Sequence, residues 1–177
     1  MNKKQEYRNF IIELATLFQP HTYVEIGARF GYIFNEVSKY VKRAAAVDIT
    51  PLDNIIVRIG CVELYQMDSQ EFTKQWKDPI DLLFIDADHR EESVIRDFTL
   101  LSKFVKPHTG LILLHDTYPV NERLLKDDRC SDAWKAASRI HRSNRIFKDF
   151  EIVTLPGPWA GLSIIRKVYN KHGWMGE

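Results

Sequence analysis

Apolar positions along the chain alternate between two periods. Phe10, Ile11, Leu14, Leu17 and Phe18 follow helical spacing and stop at Pro20, which predicts an amphipathic first helix. TYVEI comes next, short and β-branched as a strand should be, and ends at Gly27. Residues 32–41 then read as a helix, 44–49 as a strand, and Thr50-Pro51 as a break. A weaker strand over 61–66 leads into a helix over 69–76, with Ser69 as its expected N-cap and Phe72 and Trp76 on its buried face. DLLFI and GLILLH are continuous apolar runs, the pattern of parallel strands covered on both faces. Between them Val94, Ile95, Phe98, Leu101 and Val105 form a helical stripe closed by Lys106-Pro107. Beyond Pro119 a long polar helix carrying Ala133, Trp134, Ala137 and Ile140 precedes FEIVTL and LSIIRKV. The six-residue connector PGPWAG is too short for a crossover, so these last two strands should form an antiparallel hairpin. The prediction is an α/β, Rossmann-like three-layer sandwich: a mostly parallel, seven-stranded sheet with a reversed C-terminal strand.

At 177 residues, without repeats, low-complexity tracts or a Pro/Gly/Ser-rich linker, the chain is expected to form one domain over 1–177. Lys plus Arg number 25 against 24 Asp plus Glu, with no long run of like charge, so neither nucleic acid nor a membrane surface is an expected partner. No apolar window suits a signal peptide or a membrane span, and a soluble cytoplasmic protein is the expectation. Cys61 and Cys130 show no zinc or redox spacing and receive no role.

Ligands of open α/β sheets bind outside the carboxyl ends of the strands, where strand order reverses. Reading those ends gives Glu25 and Gly27, then Asp48, then Asp68, then Asp86 to His89, then His115 and Asp116. One acid in a loop is an ordinary solvated cap; a carboxylate at five successive strand ends points to a shared site. In EIGARFG, Gly27 sits where the backbone must leave the strand and Gly31 where a helix begins and a ligand could approach. The spacing is not G-x-G-x-x-G, which disfavours a nicotinamide or flavin enzyme, the rival reading within this fold.

EIGARFG, AVD, QMDS, DLLFIDADH and GLILLHD stand in order over nearly the whole chain, and on these segments the sequence resembles the class I S-adenosylmethionine-dependent methyltransferases. More narrowly, IDADH, then Val94 and Asp97, then the later HD are similar to small O-methyltransferases related to macrolide-sugar and cephalosporin-pathway enzymes. The resemblance implies S-adenosylmethionine as cofactor. It places Glu25, Gly27, Ala28 and Gly31 around the methionine half, Asp48 on the ribose hydroxyls, and Asp68 with Met67 and Ser69 at the adenine, and it adds Asp86 to the cofactor wall. Arg29, where glycine is commoner in the family, has two readings: pairing with the cofactor carboxylate, or pointing to solvent.

A hydroxyl attacks a sulfonium methyl well only when its proton is removed or its oxygen is held by a cation. Asp86 and Asp116 offer hard oxygen ligands from adjacent strand ends; the neighbour of Asp116 is His115 or Thr117, and His115 is the candidate that joins them. In the similar metal-dependent enzymes that neighbour is an acid or amide, a departure that bears on magnesium; imidazole beside carboxylates suits manganese, iron or zinc better, and a metal-free site is the alternative. His89, with an ordinary pKa near ~6.5, is the candidate general base, and Asp88 is placed to orient it. The acceptor would be a small molecule or a glycan. Tyr118 and Trp159, on the segment after the fifth strand and at Pro158-Trp159 of the hairpin tip, could stack on it, or seal a homodimer or the core edge. The competing class is a non-catalytic binding or scaffold protein that keeps the fold and its pocket.

Overall fold

The computed structural model describes residues 3–126, 129–143, 147–156 and 160–168. Seven strands, β1 (Thr22–Ile26), β2 (Arg43–Asp48), β3 (Val62–Gln66), β4 (Leu82–Ile85), β5 (Leu111–His115), β6 (Phe150–Leu155) and β7 (Leu162–Lys167), form one sheet in the order β3-β2-β1-β4-β5-β7-β6. β1 to β5 are parallel; β7 runs antiparallel to β6, as the short connector requires, and also to β5. Strand order reverses between β1 and β4, so a crevice opens at their carboxyl ends.

The helices are α1 (Lys3–Phe18), α2 (Phe34–Val37), α3 (Ser69–Gln75), α4 (Glu91–Leu101) and α5 (Ala133–Arg142). Alternate strand residues face opposite layers. Val24, Ile26, Leu83, Ile85, Ile112 and Leu114 pack with Phe72 and Trp76 and with Val94, Phe98 and Ala136 of α4 and α5. Tyr23, Leu82, Phe84 and Leu113 turn the other way, onto Ile11 and Ala15 of α1 and onto Phe34 and Val37. Two apolar faces on one sheet demand two helical layers, and the predicted three-layer sandwich is the result.

Three local expectations are corrected. The helix over 32–41 shrinks to the single turn of α2 followed by a 3-10 turn, Ser38–Tyr40. Asn35 spends its side chain on the loop after β2, donating to the Asn54 carbonyl and accepting from the Ile56 N–H, while the Ser38 hydroxyl bonds back to the Asn35 carbonyl and competes with the helical ladder. On α1, Ile11 faces the sheet as expected and Ala15 joins it, with Tyr7, Ile12 and Leu14 packed alongside, while Leu17 is 85% exposed and Phe10 also reaches solvent. The N-cap of α3 is Asp68, whose carboxylate accepts from the Glu71 N–H; Ser69 is the first helical residue, and its hydroxyl donates to buried Asp97 at 2.6 Å.

Candidate active site

The carboxyl ends of β1 to β5 enclose a cleft of about 1080 Å³. Of the residues singled out in the sequence, Glu25, Gly27, Ala28, Asp48, Met67, Asp68, Ser69, Asp86, Asp88, His89, His115 and Asp116 all line it. Gly31 does not. A Cβ there would meet Asn35 and Ile55 side chains at 2.8 Å, so this glycine lets the turn pack on the loop after β2.

At the β1 end, Glu25 is buried and accepts a 2.6 Å hydrogen bond from the Tyr23 hydroxyl. Burial pushes its carboxyl up to about 8, against the opposing hydrogen bond from Tyr23, which favours its protonated form near neutrality. Asp48 closes β2: one carboxylate oxygen accepts from the Arg29 N–H at 2.9 Å, the other from the Thr50 N–H and hydroxyl at 2.8 and 2.7 Å. These fixed donors hold the carboxylate over the glycine turn. The Arg29 side chain is exposed at the cleft rim and its guanidinium lies over the Phe30 ring.

The β4 and β5 ends build a tighter cluster. His115 Nδ1 lies 3.1 Å from Asp86 Oδ1 and 3.3 Å from Asp116 Oδ1, and its ring stacks on Tyr7 with centroids 4.2 Å apart. Asp86, His115 and Asp116 each bring a donor atom within 4.8 Å of the others, a spacing compatible with one shared cation. His89 approaches from the first turn after β4: Nε2 is 3.2 Å from Asp116 and 3.7 Å from Asp86, and Nδ1 bonds the Arg129 carbonyl. A carbonyl can only accept, so Nδ1 carries the hydrogen and Nε2 is the nitrogen turned to the carboxylates. Asp88 does not orient His89; it binds the Arg90 guanidinium and the Ser93 hydroxyl, and those donors hold its carboxyl down at about 2.

Burial disfavours charge on both imidazoles, but the facing carboxylates outweigh it and push His89 up to about 9 and His115 up to about 10. Asp86 moves the other way: burial would raise it, and the charge of His115 followed by the hydrogen bonds of both histidines holds it below the usual carboxylate range. An unperturbed imidazole is the expectation for His89; the facing carboxylates instead favour its charged form. The imidazolium contribution to stability is complete below pH ~6.5, the unfolded value, and vanishes as pH rises through 9 to 10. The Asp86 contribution is present above about pH 4 and lost on acidification. The protonated Glu25 adds a contribution that is complete below pH ~4.5 and lost as pH rises through about 8, so melting in chelator-containing buffer should peak near pH ~4–5 and fall by on the order of 5–10 °C by pH ~9.5, equivalent to about 2–3 kcal/mol. His115→Asn should flatten the alkaline limb, and a wild-type profile flat from pH 6 to 9.5 would contradict this electrostatic picture.

Sequence reasoning missed several wall residues. Tyr7 and Arg8 reach in from α1; Leu124, Arg129 and Cys130 arrive from the segment after β5, where the Cys130 thiol donates to Asp116 at 3.3 Å. Tyr7 stands four residues before Ile11 on one helical face, a usable signal; nothing local marks Arg129 or Cys130. Tyr118 is half-exposed and packs across Gly161, away from the cleft wall, while Pro158 and Trp159 lie outside the described residues.

Residues 24–117 match the sequence profile of a family described as a methyltransferase domain. No curated protein matches the sequence. Solved structures share the fold. An O-methyltransferase from Bacillus cereus in complex with SAH has 18% identity and a TM-score of 0.69, with 92% of this chain and 80% of that one covered. The SAH-bound methyltransferase PaMTH1 of Podospora anserina gives 16%, 0.70, 91% and 77% for the same measures. The O-methyltransferase TomG of Streptomyces achromogenes, involved in tomaymycin synthesis and in complex with SAM, gives 16%, 0.67, 92% and 80%. Among the described residues no helix is long and apolar enough to cross a membrane.

Proposed function

The chain belongs to the methyltransferase-domain family, and from that premise we propose that it transfers a methyl group from S-adenosylmethionine to a hydroxyl of a small molecule or glycan. One observation carries the reading: Glu25, Asp48, Asp68 and Asp86, which end or follow four different strands, line a single cleft at the strand-order reversal. Asp48 presents a carboxylate already fixed by three donors, suited to accepting from vicinal ribose hydroxyls. Met67, Asp68 and Ser69 form the adenine end, and Glu25, Gly27 and Ala28 the methionine end. Bound SAM or SAH in the fold relatives supports the choice of cofactor, and the O-methyltransferases among them support oxygen as the accepting atom.

Asp86, His115 and Asp116 would hold a divalent cation; two carboxylates and an imidazole form a mixed oxygen and nitrogen donor set that suits manganese or a similar ion. Such an ion supplies the positive charge that holds a hydroxyl oxygen and acidifies it. His89 Nε2 would be the proton-accepting atom in this reading once a cation held by Asp86 and Asp116 offsets the carboxylate charge that keeps the imidazole protonated, its ring fixed by the Arg129 carbonyl. The acceptor would enter between α1 and the segment around Leu124 to Cys130, beside Tyr7, His115 and Cys130. A second subunit could complete that wall and is a further part of the proposal.

Calorimetric titration with S-adenosylhomocysteine tests the cofactor assignment. Wild-type protein should bind it, and Asp48→Ala should weaken binding by roughly tenfold or more, about the worth of one charge-assisted hydrogen bond. Because Asp48 also anchors the turn, Asp48→Asn is the control that keeps its shape. Unchanged affinity in Asp48→Ala would remove the ribose role, and absence of wild-type binding would remove the cofactor.

A further inference from the structure

Among the cationic side chains of the cleft, Arg8 stands apart. Arg29 is exposed at the cleft rim over Phe30, and Arg96 is paired with Asp97. Arg8 reaches in from the second turn of α1, lines the same cleft, and forms no ion pair among the described residues. Its Nε is buried and has no hydrogen-bond partner. An orphaned guanidinium N–H costs free energy unless a ligand satisfies it. The group is also directed: its carbon sits 4.3 Å from the Tyr32 ring centroid and 5.9 Å from that of Tyr7, so aromatic rings hold the fork beside the turn after β1.

What it faces narrows the ligand. The β1 end carries buried Glu25, close enough to Arg8 for the positive charge to act on its carboxyl. One acid and one guanidinium that bonds Tyr7 but keeps an unpartnered Nε–H, at the same end of a cleft, are complementary to a zwitterion: the acid to an ammonium, the fork to a carboxylate bound through two parallel hydrogen bonds. A free α-amino acid end is such a group, and on the reading above the cofactor's methionine end lies here. We propose that Arg8 binds the α-carboxylate of the cofactor's amino-acid end. This rests on the cofactor assignment and adds to it a residue from the first helix, outside the strand-end motifs.

The pair S-adenosylhomocysteine and 5′-methylthioadenosine isolates the interaction, because the second keeps the nucleoside thioether and lacks the amino acid. Calorimetry on the full chain should show Arg8→Ala losing about 10- to 100-fold in affinity for S-adenosylhomocysteine, with 5′-methylthioadenosine bound within about twofold of wild type. Arg8→Lys, which keeps the charge and loses the fork, should fall between. Equal loss for both ligands would mean that Arg8 acts through the fold and would overturn the assignment, as would no loss for either, including the case where Arg8 serves an acceptor carboxylate. If wild-type protein binds neither compound, the cofactor reading fails and this inference with it; wild-type binding with an indifferent Arg8→Ala sinks the inference alone.

Discussion

Gly27→Ala is expected to destabilise the protein by about 3–5 kcal/mol and to abolish nucleoside binding, in equilibrium denaturation and calorimetry respectively. Gly27 has φ +89°, a region that side-chain-bearing residues rarely adopt, and a Cβ there would lie 2.2 Å from the Asp86 carbonyl oxygen and 2.8 Å from the Ala87 Cα. Both are backbone atoms of the turn after β4, so no rotamer change relieves the overlap. Relief requires β1 and β4 to separate at their carboxyl ends, which moves Glu25 away from Asp86 and opens the crevice. Gly60 is the control: its φ is +77°, yet nothing lies within 4 Å of an added Cβ, so Gly60→Ala should cost only the backbone term, about 1 kcal/mol. Equal, small losses for the two variants would show that the close approach at the β1–β4 junction does not matter to the fold.

That junction also marks how far the sequence could be read. Gly27 follows a short apolar strand, Asp86 follows another, and α/β topology alone brings such ends together; hence the acids and the glycine turn were legible without coordinates. The hairpin of β6 and β7 was legible for the same reason, since six residues cannot cross a sheet. Arg8 and Tyr7 were hidden because the helical stripe took in Phe10 and Leu17 beside Ile11, whereas burial is complete at Ile11 and the small Ala15. Arg129 and Cys130 were hidden because they reach His89 and Asp116 only after a long excursion from β5. The proton affinity of His89 is a three-body property of burial, Asp86 and Asp116, which residue type alone does not reveal.

His89→Ala should lower turnover by roughly 10²–10³-fold, the usual worth of a positioned general base, while leaving S-adenosylhomocysteine affinity within about threefold. The asymmetry follows from position: His89 Nε2 faces Asp86 and Asp116 at the β4 and β5 ends, whereas the residues assigned to the ribose and adenine lie at β2 and β3. Turnover is read as S-adenosylhomocysteine formed against a panel of small phenols and sugars, with manganese and magnesium compared in parallel. Removing the imidazole takes from buried Asp116 one of its two histidine neighbours, leaving His115 at 3.3 Å, and takes one donor from the Arg129 carbonyl, so the variant's melting point must be measured beside its rate. His89→Gln separates the two effects, since an amide can still donate to the carbonyl but cannot take a proton near neutrality. A slow His89→Gln that melts near wild type assigns His89 to proton transfer. Full turnover in either variant would take the proton-accepting role away from His89 and leave the hydroxyl's activation to the charge held by Asp86, His115 and Asp116.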